Sequence, residues 1–135
     1  MTGKKEHINP DGLFKNPAFS QAIITQGSVK TIYIGGQDAV DINGNIVGKG
    51  DIAAQTEQTM KNVQTVLEGC GATFNDLVKL TIYVVSGQDI TKGFEVSRKY
   101  FKDVINQPIV TVVIVPALGR PDFLLEVDGI AFVAE

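Results

Sequence analysis

The stretch "DIAAQTEQTMKNVQTVLEGCGATFNDLVKLTIYVV", Asp51 to Val85, changes period part-way along, and that change decides the fold class. In its first part Ile52, Thr56, Met60 (or Thr59), Val63, Val66, Leu67 and Cys70 recur at spacings of three and four. This is one buried stripe of a 3.6-residue helix. Asp51 can cap the start, because a carboxylate accepts from an otherwise orphaned helix N–H. Gly69 or Gly71 can end it, since glycine enters the left-handed region without a Cβ penalty. On that stripe Cys70 reads as a small core residue, not a nucleophile. After the stop, "DLVKLTIYVV" (Asp76–Val85) is dominated by branched side chains and reads as a strand.

Toward the N-terminus, "AFSQAIITQGSVKTIYIGGQ" (Ala18–Gln37) reads as two strands around a turn at Gly27. The "NG" pair in "DINGNIVGKG" (Asp41–Gly50) signals a hairpin-type turn or tight loop. Toward the C-terminus, "SGQD" breaks the strand. A second helix follows from about Ile90 to Val104, with Phe94, Tyr100 or Phe101, and Val104 on its apolar side. Pro108 then opens "PIVTVVIV", apolar on both faces, and "GRPDFLLEVDGIAFVAE" (Gly119–Glu135) closes the chain. The order is β-β-α-β-α-β-β, with room for a short extra strand near the N-terminus: an α+β fold. Two helices can cover only one face of such a sheet. A strand like "PIVTVVIV" is normally central or covered on both sides. Self-association through the uncovered face resolves the conflict.

The chain has 135 residues, 44% hydrophobic and 20% charged, and reads as one ordered domain, 1–135. A formal charge of -3 and the lack of a basic stripe argue against nucleic acid as a partner. No run reaches membrane-spanning length, and "MTGKKEHINPDG" lacks the apolar core of a signal peptide. With Cys70 alone no intrachain disulfide can form, so a cytoplasmic setting without membrane partners is expected. No metal is expected, because His7 is the only histidine and no Cys/His cluster has ligand spacing. A Ser–His–Asp arrangement would have to recruit His7, which reads as an exposed surface residue. "IGGQD" (Ile34–Asp38) lacks the glycine spacing of a dinucleotide fingerprint.

The closing strand poses the sharpest chemical question. Alternation puts Leu124, Glu126, Asp128, Ile130 and Phe132 on one side, so two acids sit among apolar neighbours. Such carboxylates are solvated at an edge, paired, or part of a site.

These residues resemble the RidA/YjgF family, also called the perchloric-acid-soluble protein family, over nearly the whole chain. The resemblance is carried by "NPAFSQAI", "IYIGGQ", the Asp51–Val84 stretch and, most specifically, "RPDFLLEVDGIA". It implies a chorismate-mutase-like α+β fold, a mixed sheet with two helices on one face, assembled as a homotrimer with clefts between subunits. It implies hydrolysis of reactive enamines and imines, such as 2-aminoacrylate released by PLP-dependent dehydratases, to 2-keto acids and ammonia. No cofactor is implied. Glu126 falls on the family's functional Glu, thought to hold or activate the attacking water.

The same resemblance marks departures. Deaminase-type members carry an Arg two residues after the strand-opening Pro, as a charge-assisted clamp on the substrate carboxylate; here that position is Val110. Val112 stands where Cys is common, Phe19 where Tyr is common, Gly35 where Ser is frequent, and Phe94 where Asn is frequent. A hydrogen bond to a charged group is worth about 1.5–3 kcal/mol, so losing the Arg alone would be serious for a small imino acid. Arg120 is one replacement to consider, while Arg98 and Lys99 are expected on the exposed face of the second helix. The expectation is deamination of a less anionic, more apolar imine, with Glu126 catalytic and Phe19, Gly35, Phe94, Val110 and Val112 lining the cleft. The alternative is a non-catalytic trimer that binds a small metabolite. Ribonuclease activity, attributed to some members, is disfavoured by the acidic balance and single histidine.

Overall fold

In the computed structural model, which describes residues 2–135, the helix–strand alternation read from Asp51–Val85 is present. Helix α1 (Ile52–Gly69) starts at Asp51, whose carboxylate accepts from the Ala54 N–H at 3.1 Å. It ends before Gly71, which takes φ +74°. Strands β1 (Lys4–Ile8), β2 (Ala22–Gln26) and β3 (Val29–Gln37) precede it. Strand β4 (Leu77–Val85), helix α2 (Ile90–Phe101), β5 (Ile109–Val115) and β6 (Leu125–Ala134) follow. Helix α2 stops at Phe101, short of the expected Val104, which instead closes a turn onto the Phe101 carbonyl at 3.1 Å.

The strands divide into a two-stranded antiparallel sheet, β1–β2, and a four-stranded mixed sheet in the order β3-β6-β4-β5. Although only Gly27 and Ser28 separate them, β2 and β3 do not pair: β2 runs against β1, and β3 against β6. Strands β4 and β5 are parallel, with α2 as their crossover; β6 is antiparallel to both its neighbours.

One expectation is reversed. The doubly apolar "PIVTVVIV" strand, expected to be central or covered, is the edge strand β5, and the acid-bearing β6 is central. Within a single chain Val112 and Ile114 stay 37% and 52% exposed. The physical reason is topological: the α2 crossover lays β5 beside β4, and the next strand, β6, pairs with the other edge of β4 and leaves β5 unflanked.

Both helices lie on one face of the mixed sheet. There Val63, Leu67 and Met60 of α1 pack against Ile32, Ile34, Leu77, Leu80, Leu125, Val127 and Ala131. Gln55, fully buried, satisfies its amide by donating to the Asp122 and Gly48 carbonyls and accepting from the Leu124 N–H. This pins the start of β6 to α1. The opposite face carries no helix, and Tyr33 stands on it 79% exposed.

His7 is half-buried and not the exposed residue expected. Its Nδ1 lies 2.7 Å from Ser20 Oγ, and the Ser20 hydroxyl donates to the Gln107 carbonyl at 2.6 Å. With that proton committed, Nδ1–H must be the donor to Ser20. The pair ties β1 to the approach of β5 and leaves Ser20 no nucleophile. Among the described residues no helix is long and apolar enough to cross a membrane.

Candidate active site

The residues singled out from sequence separate into two groups on opposite faces of one sheet. Phe19, Phe94, Val110 and Val112 come together in a groove of about 840 Å³ between α2 and β5. Phe19 arrives there from a turn in which Asn16 accepts the Ala18 N–H through its side chain and the Phe19 N–H through its carbonyl. Val110 and Val112 face Leu80 and Ile82 of β4 across the parallel ladder, and those two side chains complete the floor. The wall is apolar because alternation along β5 puts every second residue of "PIVTVVIV" on the helix side. Arg98 of α2 and Lys102, just past its end, also line this groove, whereas Lys99 turns away to pair with Glu57. Arg98 is exposed, as expected, and borders the groove from its open margin.

Glu126 is not there. Its neighbours Leu125 and Val127 point to the helices, so its side chain projects from the open face. On that face it is opposite Tyr83 of β4 and close to Asp128. Strand β3 bulges between Ile34 and Gln37, where two residues, Gly35 and Gly36, oppose one on β6. The bulge lays the Gly36 backbone against the Glu126 carboxylate so closely that a Cβ at Gly36 would fall 2.6 Å from Oε2. A side chain at Gly36 would therefore push the Glu126 carboxylate out of this position. A Cβ at Gly35 would meet nothing within 4 Å, so no neighbour requires glycine there.

The group that sequence reasoning missed is Asp38, just past the bulge. Asn62 of α1 donates to the Asp38 and Val40 carbonyls at 2.8 and 2.9 Å, which fixes the backbone there. The Gln37–Val127 pairing brings Asp38 level with Glu126, whose carboxylate acts on it, while the Asp38 Oδ1 is buried with no partner. Burial, together with the neighbouring Glu126, pushes the Asp38 carboxyl up to about 7, and Arg120 nearby only partly opposes this. The quoted "IGGQD" held the one legible signal, an acid following a glycine pair. Arg120 itself donates to the Gly44 carbonyl at 2.9 Å and lies over the Phe123 ring, outside the apolar groove. The Tyr83 hydroxyl is pushed up by the Asp128 charge. Among the described residues no group of three or more His, Cys, Asp or Glu is arranged to hold a metal ion.

The open face thus presents two adjoining carboxyls, Glu126 and Asp38, and the helix side presents an apolar groove with two cations. Neither half alone both binds an apolar molecule and handles its protons.

Comparison with known proteins adds the context. A family model described as Endoribonuclease L-PSP matches residues 14–133. A RutC family protein of Pyrococcus horikoshii is 35% identical over 101 residues, covering 75% of this chain and 78% of that protein. The human 2-iminobutanoate/2-iminopropanoate deaminase is 29% identical over 113 residues, covering 84% of this chain and 78% of the human one. A crystal structure of a Rid family protein of unknown function from Yersinia pestis superposes with a TM-score of 0.84 at 31% identity. It covers 96% of this chain and 98% of that one.

Proposed function

This chain belongs to the endoribonuclease L-PSP family, the RidA/YjgF and RutC proteins, and from that premise we propose that it hydrolyses reactive imines and enamines to carbonyl compounds and ammonia. The human relative bears the name of such a deaminase, at 29% identity. The observation that carries the reading is the Glu126 carboxyl, set among Gly36, Asp38 and Tyr83 on the open sheet face.

The working cleft forms between copies. Glu126 and Val110 leave opposite faces of the sheet, so one chain cannot bring both to one small substrate. A heterologous contact can, by laying the open face of one copy over the groove of the next, and repeated around an axis it closes into a ring. A homotrimer is the ring we propose. Exposed Tyr33, Val112 and Ile114 favour such burial.

In the reaction Glu126 accepts a proton from water as the oxygen bonds to the imine carbon. Glu126 returns that proton to the imine nitrogen, giving a neutral carbinolamine. It then takes the hydroxyl proton and passes it to the same nitrogen as the C–N bond breaks, so that ammonia leaves and the carbonyl forms. Val110 occupies the position where the family resemblance implies a carboxylate-binding Arg. The substrate is therefore an imine with an apolar substituent, seated against Phe19, Phe94, Val110 and Val112. A carboxylate on it would have to meet Arg98 or Lys102 at the groove margin.

The test is hydrolysis of freshly generated imines of small and of larger apolar amino acids. Wild type should accelerate the apolar set and Glu126→Gln should not. Val110→Arg should move preference toward the small anionic imines by about 10–100-fold. The apolar lining also suits a trimer that only binds a small metabolite. Wild type inert on every imine, with Glu126→Gln unaltered in ligand binding, would favour that reading.

A further inference from the structure

Asp38 is the one strongly perturbed acid outside the residues so far given a role. It is held at its backbone by Asn62 of α1 and placed by the β3 bulge beside the carboxylate that overlies Gly36. Its Oδ1 is buried and has no hydrogen-bond partner, so Asp38 cannot discharge a full negative charge into water or onto a donor at that oxygen. The groups facing the pair are few: Arg120 from the β5–β6 loop near Asp38, and Tyr83 of β4 near Glu126, with Asp128 beyond it. Arg120 is committed to the Gly44 carbonyl and makes no salt bridge with either acid.

We propose that Asp38 is a positioning residue for Glu126: its neutral carboxyl donates a hydrogen bond to the Glu126 carboxylate and holds that carboxylate in the orientation that receives the proton of water. This rests on the reading of Glu126 as the group that handles water. Asp38 keeps its own proton throughout, so the proton balance of hydrolysis runs through Glu126 alone. Of the two acids, Asp38 is the one that stays neutral because its inner oxygen is dry and unpartnered. The hydrogen bond lasts while Asp38 is protonated, up to a pH of about 7. Above it two adjacent carboxylates repel, and Glu126 loses its fixed position.

The experiment is a kcat/KM profile for imine hydrolysis from pH 5 to 9 on the full chain, with Asp38→Asn, Asp38→Ala and Glu126→Gln. Wild type should lose about tenfold per pH unit above the titration of Asp38. Asp38→Asn keeps a donor that cannot titrate, so its activity should persist and that alkaline limb should vanish. Asp38→Ala should be slow at every pH. An Asp38→Asn profile with the wild-type limb would overturn the proposal while leaving Glu126's role intact.

A second measurement does not depend on turnover: the carboxyl ¹³C titration of Asp38, assigned by the signal missing in Asp38→Asn. A midpoint near 7 that drops in Glu126→Gln supports the pairing, and a midpoint in the ordinary carboxylate range overturns it. Wild type inert on imines together with a midpoint near 7 would sink the hydrolase reading and Asp38's part in it, while the acid pair itself would stand.

Discussion

Helices α1 and α2 lie on the same side of the sheet, and each begins at an aspartate whose carboxylate accepts a backbone N–H at 3.1 Å: Asp51 from Ala54, Asp89 from Thr91. Both are amphipathic. Yet α1 buries Ile52, Gln55, Thr56, Thr59, Met60, Val63 and Leu67, whereas α2 buries none of its residues. The difference follows from where each lies. Helix α1 packs against the central strand β6 and its neighbour β3, and α2 is the crossover to the edge strand β5, where its Phe94 and Phe101 face a groove. An apolar stripe announces that a helix face will be covered, and it does not say that the same chain covers it.

The largest effect that could break this contrast is a pair of truncations. Leu67→Ala should cost about 2–5 kcal/mol in urea denaturation, as a cavity in a closed core does. Phe94→Ala should cost under about 1 kcal/mol and instead alter imine preference, because its ring is 42% exposed and lines the groove. Equal costs would mean that α2 is docked as firmly as α1. Next come the caps. Asp51→Ala should destabilise the whole domain by about 1 kcal/mol, whereas Asp89→Ala should show mainly as faster amide hydrogen exchange at the start of α2.

The smallest effect is one of pH. In the folded chain Asp38 is raised from 3.8 to about 7, so between those values the native state holds more protons than the unfolded one. Its contribution to stability is full below pH 4 and is lost as pH rises through about 7. Solvent around the part-exposed side chain reduces the size of this term. Asp38→Asn should remove that slope from a series of urea titrations. Leu67→Ala should lower every curve in the series equally, because packing carries no charge; a pH-dependent Leu67→Ala loss would tie the core to the acid pair.

The elements were legible because their signals are local. The α1 stripe, the Asp51 cap and the Gly71 stop need only neighbouring residues, and so does the β-branched run of β4. Where a residue's meaning depends on a distant partner, local reading was incomplete. Gln55 lies between apolar stripe positions and looks like a surface glutamine, but Asp122 and Leu124 offer it hydrogen bonds inside the core. His7 reads as surface until Ser20 and Gln107 close over it. Gly35 drew attention as a substituted position, while the glycine that the Glu126 carboxylate rests against is Gly36.

From its sequence alone the chain is determined as an α+β domain of the L-PSP family, with two acids, Glu126 and Asp128, on one face of its last strand. Those properties are periodic or sequential, so they are written in the order of residues. Only the tertiary structure decided that β6 is central and β5 an edge, that Val110 and Glu126 leave opposite faces, and that Asp38 meets Glu126 across a bulge. Each depends on strand order and register, which are settled by packing between segments far apart in the chain.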